Sequence, residues 1–187
     1  MEGPSVSSFI AASQFFVAAV AAVPVKRFEE QWSDEWRVLD LIGHGNRANV
    51  LPVEYFERPV AIAGPDYVLP ENIAERGRRA VADLGPDPVA GVRAASERVI
   101  EMVRAAPDAA TVGTPFGIQT LEAYLRSRTA ELVLHGLDLG TDVEPPSNAL
   151  RQCGAFLVDT AVNAGRGLDL ILALTGRSPL PPDFNLY

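Results

Sequence analysis

Arg128-Thr129-Ala130-Glu131-Leu132-Val133-Leu134-His135-Gly136-Leu137-Asp138-Leu139 is the stretch on which the fold turns. Leu132 and Leu139 continue a helical spacing begun by Leu121, Tyr124 and Leu125. The spacing predicts one long helix from about Ile118 to Leu139, stopped by Gly140. On such a helix Glu131 and His135, four apart, share a face with Cβ atoms about 5–6 Å apart. Asp138 lies three residues beyond His135, and Arg128 three before Glu131, so both fall near that face. Working outward, Trp36-Arg37-Val38-Leu39-Asp40-Leu41-Ile42-Gly43-His44 carries the chain's other histidine, again in the middle of a helical pattern. His44 follows Asp40 by four. Where the two helices are neighbours, His44, Glu131 and His135 make a two-histidine, one-carboxylate set.

The remaining elements are also helical, and strand signals are nearly absent. Ser7 or Ser8 can cap a first helix that runs to about Ala22 and ends at Pro24. Ser33 or Asp34 can cap the second, beginning near Glu35-Trp36 and continuing to Tyr55-Phe56, with Pro52 expected to kink or break it. Residues 58 to 86, rich in Pro and Gly, read as a long connection with one short helix near Glu71 to Ala82. A third long helix spans about Pro88 to Ala105. The segment Thr111 to Gly117 reads as a loop before the helix that carries Glu131 and His135. A last helix runs from Pro145-Pro146-Ser147 to about Leu174. The proline-rich tail from Ser178 to Tyr187 cannot be helical and is expected to pack back along the bundle. The pattern predicts an all-α four-helix bundle with one long crossover, spanning 1–187 as a single domain.

Composition narrows the function. The 187 residues carry 16 basic and 24 acidic side chains, a net charge of −8. A chain this acidic repels phosphates in general, which argues against nucleic-acid partners. One cysteine, Cys153, excludes an internal disulfide framework and a cysteine-rich zinc site, and it reads as a small buried hydrophobe. The apolar run Phe15 to Val23 is shorter than the roughly 20 residues of a spanning helix. No Lys or Arg precedes Lys26, as a signal peptide would require. These features predict a cytoplasmic protein with no membrane partner. Lys26 is the only Lys beside 15 Arg, which points to a GC-rich bacterial genome.

On the residues alone, two explanations of the histidines stand side by side. Glu131 and His135 can be a solvated helical pair, with His44 a satisfied core histidine. Alternatively the three hold zinc, nickel or ferrous iron, with an open position of the kind catalytic sites keep. Asp40 and Asp138 then sit where they can orient the imidazoles. Asn46 and Arg47, just after His44, are expected to line the same cavity, with Trp36 in the core and Trp32 as a loop cover. Arg128 is expected to hold Glu131 or bind an anionic substrate. Arg76, Arg78 and Arg79 read as a solvated basic face.

Trp36 to His44 and Arg128 to Leu139, with Gly43-His44-Gly45-Asn46-Arg47-Ala48 and Leu174-Thr175-Gly176-Arg177-Ser178-Pro179, resemble a known group. They are similar to the signature segments of mycothiol-dependent maleylpyruvate isomerase-type metal-binding domains, in the DinB-like (YfiT-like) superfamily. The resemblance covers roughly residues 8 to 183. It implies a metal-binding four-helix bundle with His44, Glu131 and His135 as ligands, usually of zinc. It implies mycothiol as a cosubstrate in an actinobacterial setting. Arg47 and Arg128, from their places beside His44 and Glu131 in the sequence, are the candidate catalytic residues. The two-domain isomerase of this group carries a further C-terminal domain. The present sequence ends after the bundle and its tail, so thiol S-transfer to another small electrophile is expected in place of maleylpyruvate isomerisation. A metal-dependent hydrolase and a non-catalytic metal-containing binding module are the competing readings. Related bundles often dimerise, and a homodimer is expected.

Overall fold

The computed structural model describes residues 3–186. Its helices are α1 (Pro4–Ala22), α2 (Val38–Glu57), α3 (Pro70–Ala82), α4 (Pro88–Ala105), α5 (Leu121–Asp138), α6 (Ser147–Asn163) and α7 (Gly167–Leu174). One antiparallel hairpin, β1 (Thr111–Thr114) and β2 (Gly117–Thr120), precedes α5. The all-α fold read from the periodicity is the fold observed.

Four helices close a ring. α1 packs on α5, α5 on α2, α2 on α4, and α4 back on α1. The core inside this ring includes Phe9 and Phe16 from α1, Leu41 and Ile42 from α2, Val92 and Val99 from α4, and Leu125 and Leu132 from α5. Burying each such side chain contributes about 1.5–3 kcal/mol. α3 lies outside the ring against α2, and α6 lies against α5 and α1. A buried polar chain threads the core: the Ser13 hydroxyl lies 2.6 Å from that of Ser96 and donates to Asn49 Oδ1 at 2.8 Å.

α1 is long and apolar enough to cross a membrane by length and composition, at mean hydropathy 1.6. The unbroken apolar run is short, but Ser and Gln interrupt the helix too seldom to lower its average. Of that window, 56% is buried inside the fold. The apolarity of α1 is thus accounted for by its place in the bundle core.

Several boundaries differ from expectation for local reasons. α1 begins at Pro4, not at Ser7 or Ser8, because Pro at the first position already has helical φ. α2 begins at Val38, where Asp40 accepts the Arg37 backbone N–H at 2.9 Å. α2 runs unbroken through Pro52. The expected last helix is two: it breaks at Ala164 to Arg166, with Gly165 at φ +73°, a conformation that glycine adopts without strain.

The expected loop at 111–117 is the first strand and turn of the hairpin. Thr114 holds the turn, its hydroxyl donating to Gly117 O at 2.9 Å and accepting from Phe116 N at 3.2 Å. The crossover after α2 docks along this hairpin. Val60 N donates to Gly113 O at 3.1 Å and Ala63 N to Pro115 O at 2.8 Å. Thr120 then caps α5, accepting the Ala123 N–H at 3.2 Å. Hairpin and crossover together wall one side of the space above the α2–α5 seam.

Candidate metal centre

Because α2 and α5 are ring neighbours, His44 meets Glu131 and His135. Donor atoms of the three lie within 4.8 Å of one another. His135 Nε2 is 3.2 Å from Glu131 Oε2, and His44 Nε2 is 3.9 Å from the same oxygen. Ligands about 2.1 Å from a tetrahedral ion stand about 3.4 Å apart, so the two measured separations bracket that spacing. The imidazole rings of His44 and His135 meet edge to face, centroids 4.9 Å apart.

A glycine makes the close approach available. A Cβ at Gly45 would lie 2.7 Å from the Phe16 ring and 3.1 Å from His135 Cβ. Trp36 covers His44 with ring centroids 4.6 Å apart, and Trp32 stacks on Trp36 at 6.0 Å.

His135 stands between two carboxylates. Its Nδ1 is 3.1 Å from Asp138 Oδ2, and its Nε2 faces Glu131. With the Nδ1 proton donated to Asp138, the Nε2 lone pair points at another acceptor, and a cation must separate them. That cation is a proton or a metal ion. The donor set therefore fits a divalent metal, with Asp138 orienting His135 from behind.

The charge states follow from the packing. Burial alone lowers the affinity of His135 for its proton, but the hydrogen bonds to Asp138 and Glu131 outweigh it and raise the pKa to about 9. Burial, then the neighbouring His135, lowers His44 to about 3, so His44 is neutral at physiological pH. Glu131 is pushed up by burial, but the His135 hydrogen bond and Arg128 bring it to about 2. His44 Nδ1 and Trp36 Nε1 are buried without hydrogen-bond partners.

The triad lines a cavity of about 510 Å³. The α2 face from His44 through Arg47 to Tyr55 and the α5 face from Tyr124 to His135 supply much of its wall. Arg128 lines it with its guanidinium 5.0 Å over the Tyr124 ring and 3.8 Å from Glu131. Burial pushes the Tyr124 phenol up to about 12, against the pull of Arg128. Burial, then the Tyr67 hydroxyl at 3.5 Å, raises the Tyr55 phenol as well. Both phenols keep their protons at neutral pH and can donate into the cavity.

Three expectations are corrected here. Asp40 does not orient His44: it is buried against Arg37, receiving the guanidinium at 3.0 and 3.1 Å. Asn46 turns to the core, where its Oδ1 accepts from Asn49 at 3.2 Å. Arg76 does not belong to the solvated basic face with Arg78 and Arg79; it lines the cavity. Tyr55, Tyr67, Tyr124 and Phe116 also line it and were not expected there. Extending the helical stripe would have found two of them. Tyr55 is eleven residues beyond His44 on α2, and Tyr124 eleven before His135 on α5, which is three turns. Tyr67 and Phe116 come from the crossover and the hairpin tip, and no periodicity points to them.

The family profile of the mycothiol maleylpyruvate isomerase N-terminal domain matches residues 11–140. That span includes the triad, the residues lining its cavity, the whole of α2, α4 and α5, and α1 from Ala11 onward. No curated protein and no solved structure matches the chain significantly.

Proposed function

The chain belongs to the mycothiol maleylpyruvate isomerase N-terminal domain family, and from that premise we propose that it is a metal-dependent enzyme using mycothiol on a small electrophile. The reaction is S-transfer or a thiol-assisted isomerisation. His44, Glu131 and His135 are the metal ligands, and zinc is the ion proposed for a donor set that also suits nickel and ferrous iron. One observation carries the reading. The triad opens onto a cavity of about 510 Å³ instead of being enclosed by further ligands.

His44, Glu131 and His135 would hold a divalent metal, which would supply Lewis acidity that favours the thiolate form of a thiol at neutral pH. The chain's own residues do the rest. Asp138 fixes the His135 ring, so that Nε2 faces Glu131 and would be free to ligate the metal. The His135 hydrogen bond, aided by Arg128 at 3.8 Å, keeps the Glu131 carboxylate ionised against its burial. Arg47 lines the wall beside His44 and places positive charge near the electrophile. The Tyr55 and Tyr124 hydroxyls offer protons to a leaving or rearranging oxygen. In the transfer reaction the sulfur–carbon bond forms, the carbon–leaving-group bond breaks, and the thiol proton passes to solvent.

The test is conjugation. Zinc-loaded protein with mycothiol and monochlorobimane or chlorodinitrobenzene should form the S-conjugate well above the metal-free control. No conjugation with any electrophile overturns the reading. Turnover of ester or amide substrates without a thiol would replace it with a hydrolase.

A further inference from the structure

The cavity is cationic inside an acidic protein. Arg47, Arg76 and Arg128 line it, and Glu131 is the only lining carboxylate among the described residues. Arg128 is engaged by that carboxylate at 3.8 Å. Arg76 is held in place by neutral groups: its Nη2 donates to Tyr67 O at 2.8 Å, and its guanidinium lies 4.1 Å over the Tyr67 ring. Arg47 has no carboxylate partner among the described residues. Both side chains are only partly exposed. The other partly exposed arginines among the described residues differ: Arg27, Arg37, Arg126 and Arg166 each reach an Asp or Glu within 4.0 Å.

A partly desolvated guanidinium without an anion is costly, and its planar fork matches a two-oxygen anion. We propose that Arg47 and Arg76 form an oxyanion-binding subsite that takes the carboxylate of the electrophile. The inference rests on the functional reading above and specifies its substrate class. A carboxylate is favoured over a phosphate because the rest of the wall is aromatic. Trp36, Tyr67 and Phe116 suit a planar apolar frame, and a dianion loses more hydration there than a monoanion. Arg76 comes from α3, outside the bundle ring, so this helix contributes specificity to a site whose metal ligands lie on α2 and α5.

The experiment is direct binding, measured calorimetrically on the full chain after metal removal, so that no metal can hold the anion. The probes are trans-cinnamate, its uncharged amide, and phenyl phosphate. Cinnamate should bind at least tenfold tighter than the amide and tighter than phenyl phosphate, and should weaken with added salt. Arg47→Gln and Arg76→Gln should each weaken cinnamate at least tenfold. Arg76→Lys should restore only part of the loss, since a point charge replaces the fork. Arg126→Gln, on the outer surface, should bind as the parent does. Circular dichroism and melting identify any variant that fails to fold, and the amide comparison on the parent protein stands without variants. Equal binding of acid and amide, or full binding by folded Arg47→Gln and Arg76→Gln proteins, overturns the subsite. Tighter binding of phenyl phosphate overturns its assignment to a carboxylate. Conjugation is not read in this experiment. Cinnamate binding that survives a failed conjugation assay therefore leaves the subsite in place and rejects only the thiol chemistry.

Discussion

At the scale of single residues, His135 is the hinge of the site because it is held from both sides. His135→Ala removes one donor and the contact to Asp138, and should abolish metal retention. Glu131→Gln keeps the shape but loses the charge, and should weaken retention without abolishing it. Elemental analysis of the purified variants checks both, and melting curves should show each losing the metal-linked gain in stability. Stoichiometric metal in both would remove this ligand assignment. The protonation of His135 adds a pH dependence. In the metal-free protein its pKa of about 9 means that metal binding at pH 7 displaces a proton. His44, at about 3, and Glu131, at about 2, are already free of protons there. Affinity should therefore rise about tenfold per pH unit between 7 and 9 and level off above, because one proton is released. Calorimetry in buffers of different ionisation enthalpy counts that proton. The same shift acts on stability. A raised histidine contributes most below its ordinary value of 6.5, and the contribution is lost as pH passes through about 9. The melting temperature of the metal-free protein should fall across that window. A flat affinity from pH 7 to 9 would show that His135 carries no such proton.

At the scale of elements, the site depends on how closely α2 can approach α1 and α5. Gly45 sets that distance, with the fully buried Phe16 ring on its other side. Gly45→Ala places a methyl group 2.7 Å from an atom of a fully buried ring, so ring or backbone must shift. Overpacking of this kind costs about 1–3 kcal/mol. Because His44 is the preceding residue, the shift should also spread the triad. The expected result in denaturant unfolding is a lower midpoint, joined by weaker metal retention. A variant as stable as the parent, with unchanged metal affinity, would mean that the backbones separate without disturbing the site. Gly77 plays a similar part for α3, where a Cβ would come within 3.0 Å of Trp36. These glycines let α1, α3 and α5 all approach α2 near His44.

At the scale of the whole molecule, apolar surface gathers on the elements outside the ring. α7 has no buried residue, and Leu168 and Leu174 are 70% and 71% exposed. Val162 on α6 and Ile171 on α7 are exposed as well. Surfaces of this kind are usually covered by a partner, and the expected state is a homodimer of the 20.0 kDa chain. Light scattering should give about twice that mass. Leu168→Glu should reduce it, whereas a 20 kDa species at all concentrations would rule the dimer out.

Local physics was enough for much of this protein. Apolar residues at helical spacing determined the long helices, because a helix repeats every 3.6 residues whatever surrounds it. The i, i+4 relation of Glu131 and His135 was equally a local fact, since both sit on one helix. Tertiary structure alone decided the rest. Thr111 to Thr120 contains too few alternating residues to announce a hairpin, and its two strands are stabilised by the crossover docked at Gly113 and Pro115. Asp40 stands four residues before His44, as Glu131 does before His135, yet it serves Arg37, because the helix start offers it a nearer cation. Arg76 sits in a basic run whose neighbours face solvent, and only the packing of α3 on α2 turns it into the cavity. Helical spacing can say which side chains share a face. Which face meets which depends on contacts between residues far apart in the chain, and no periodicity records them.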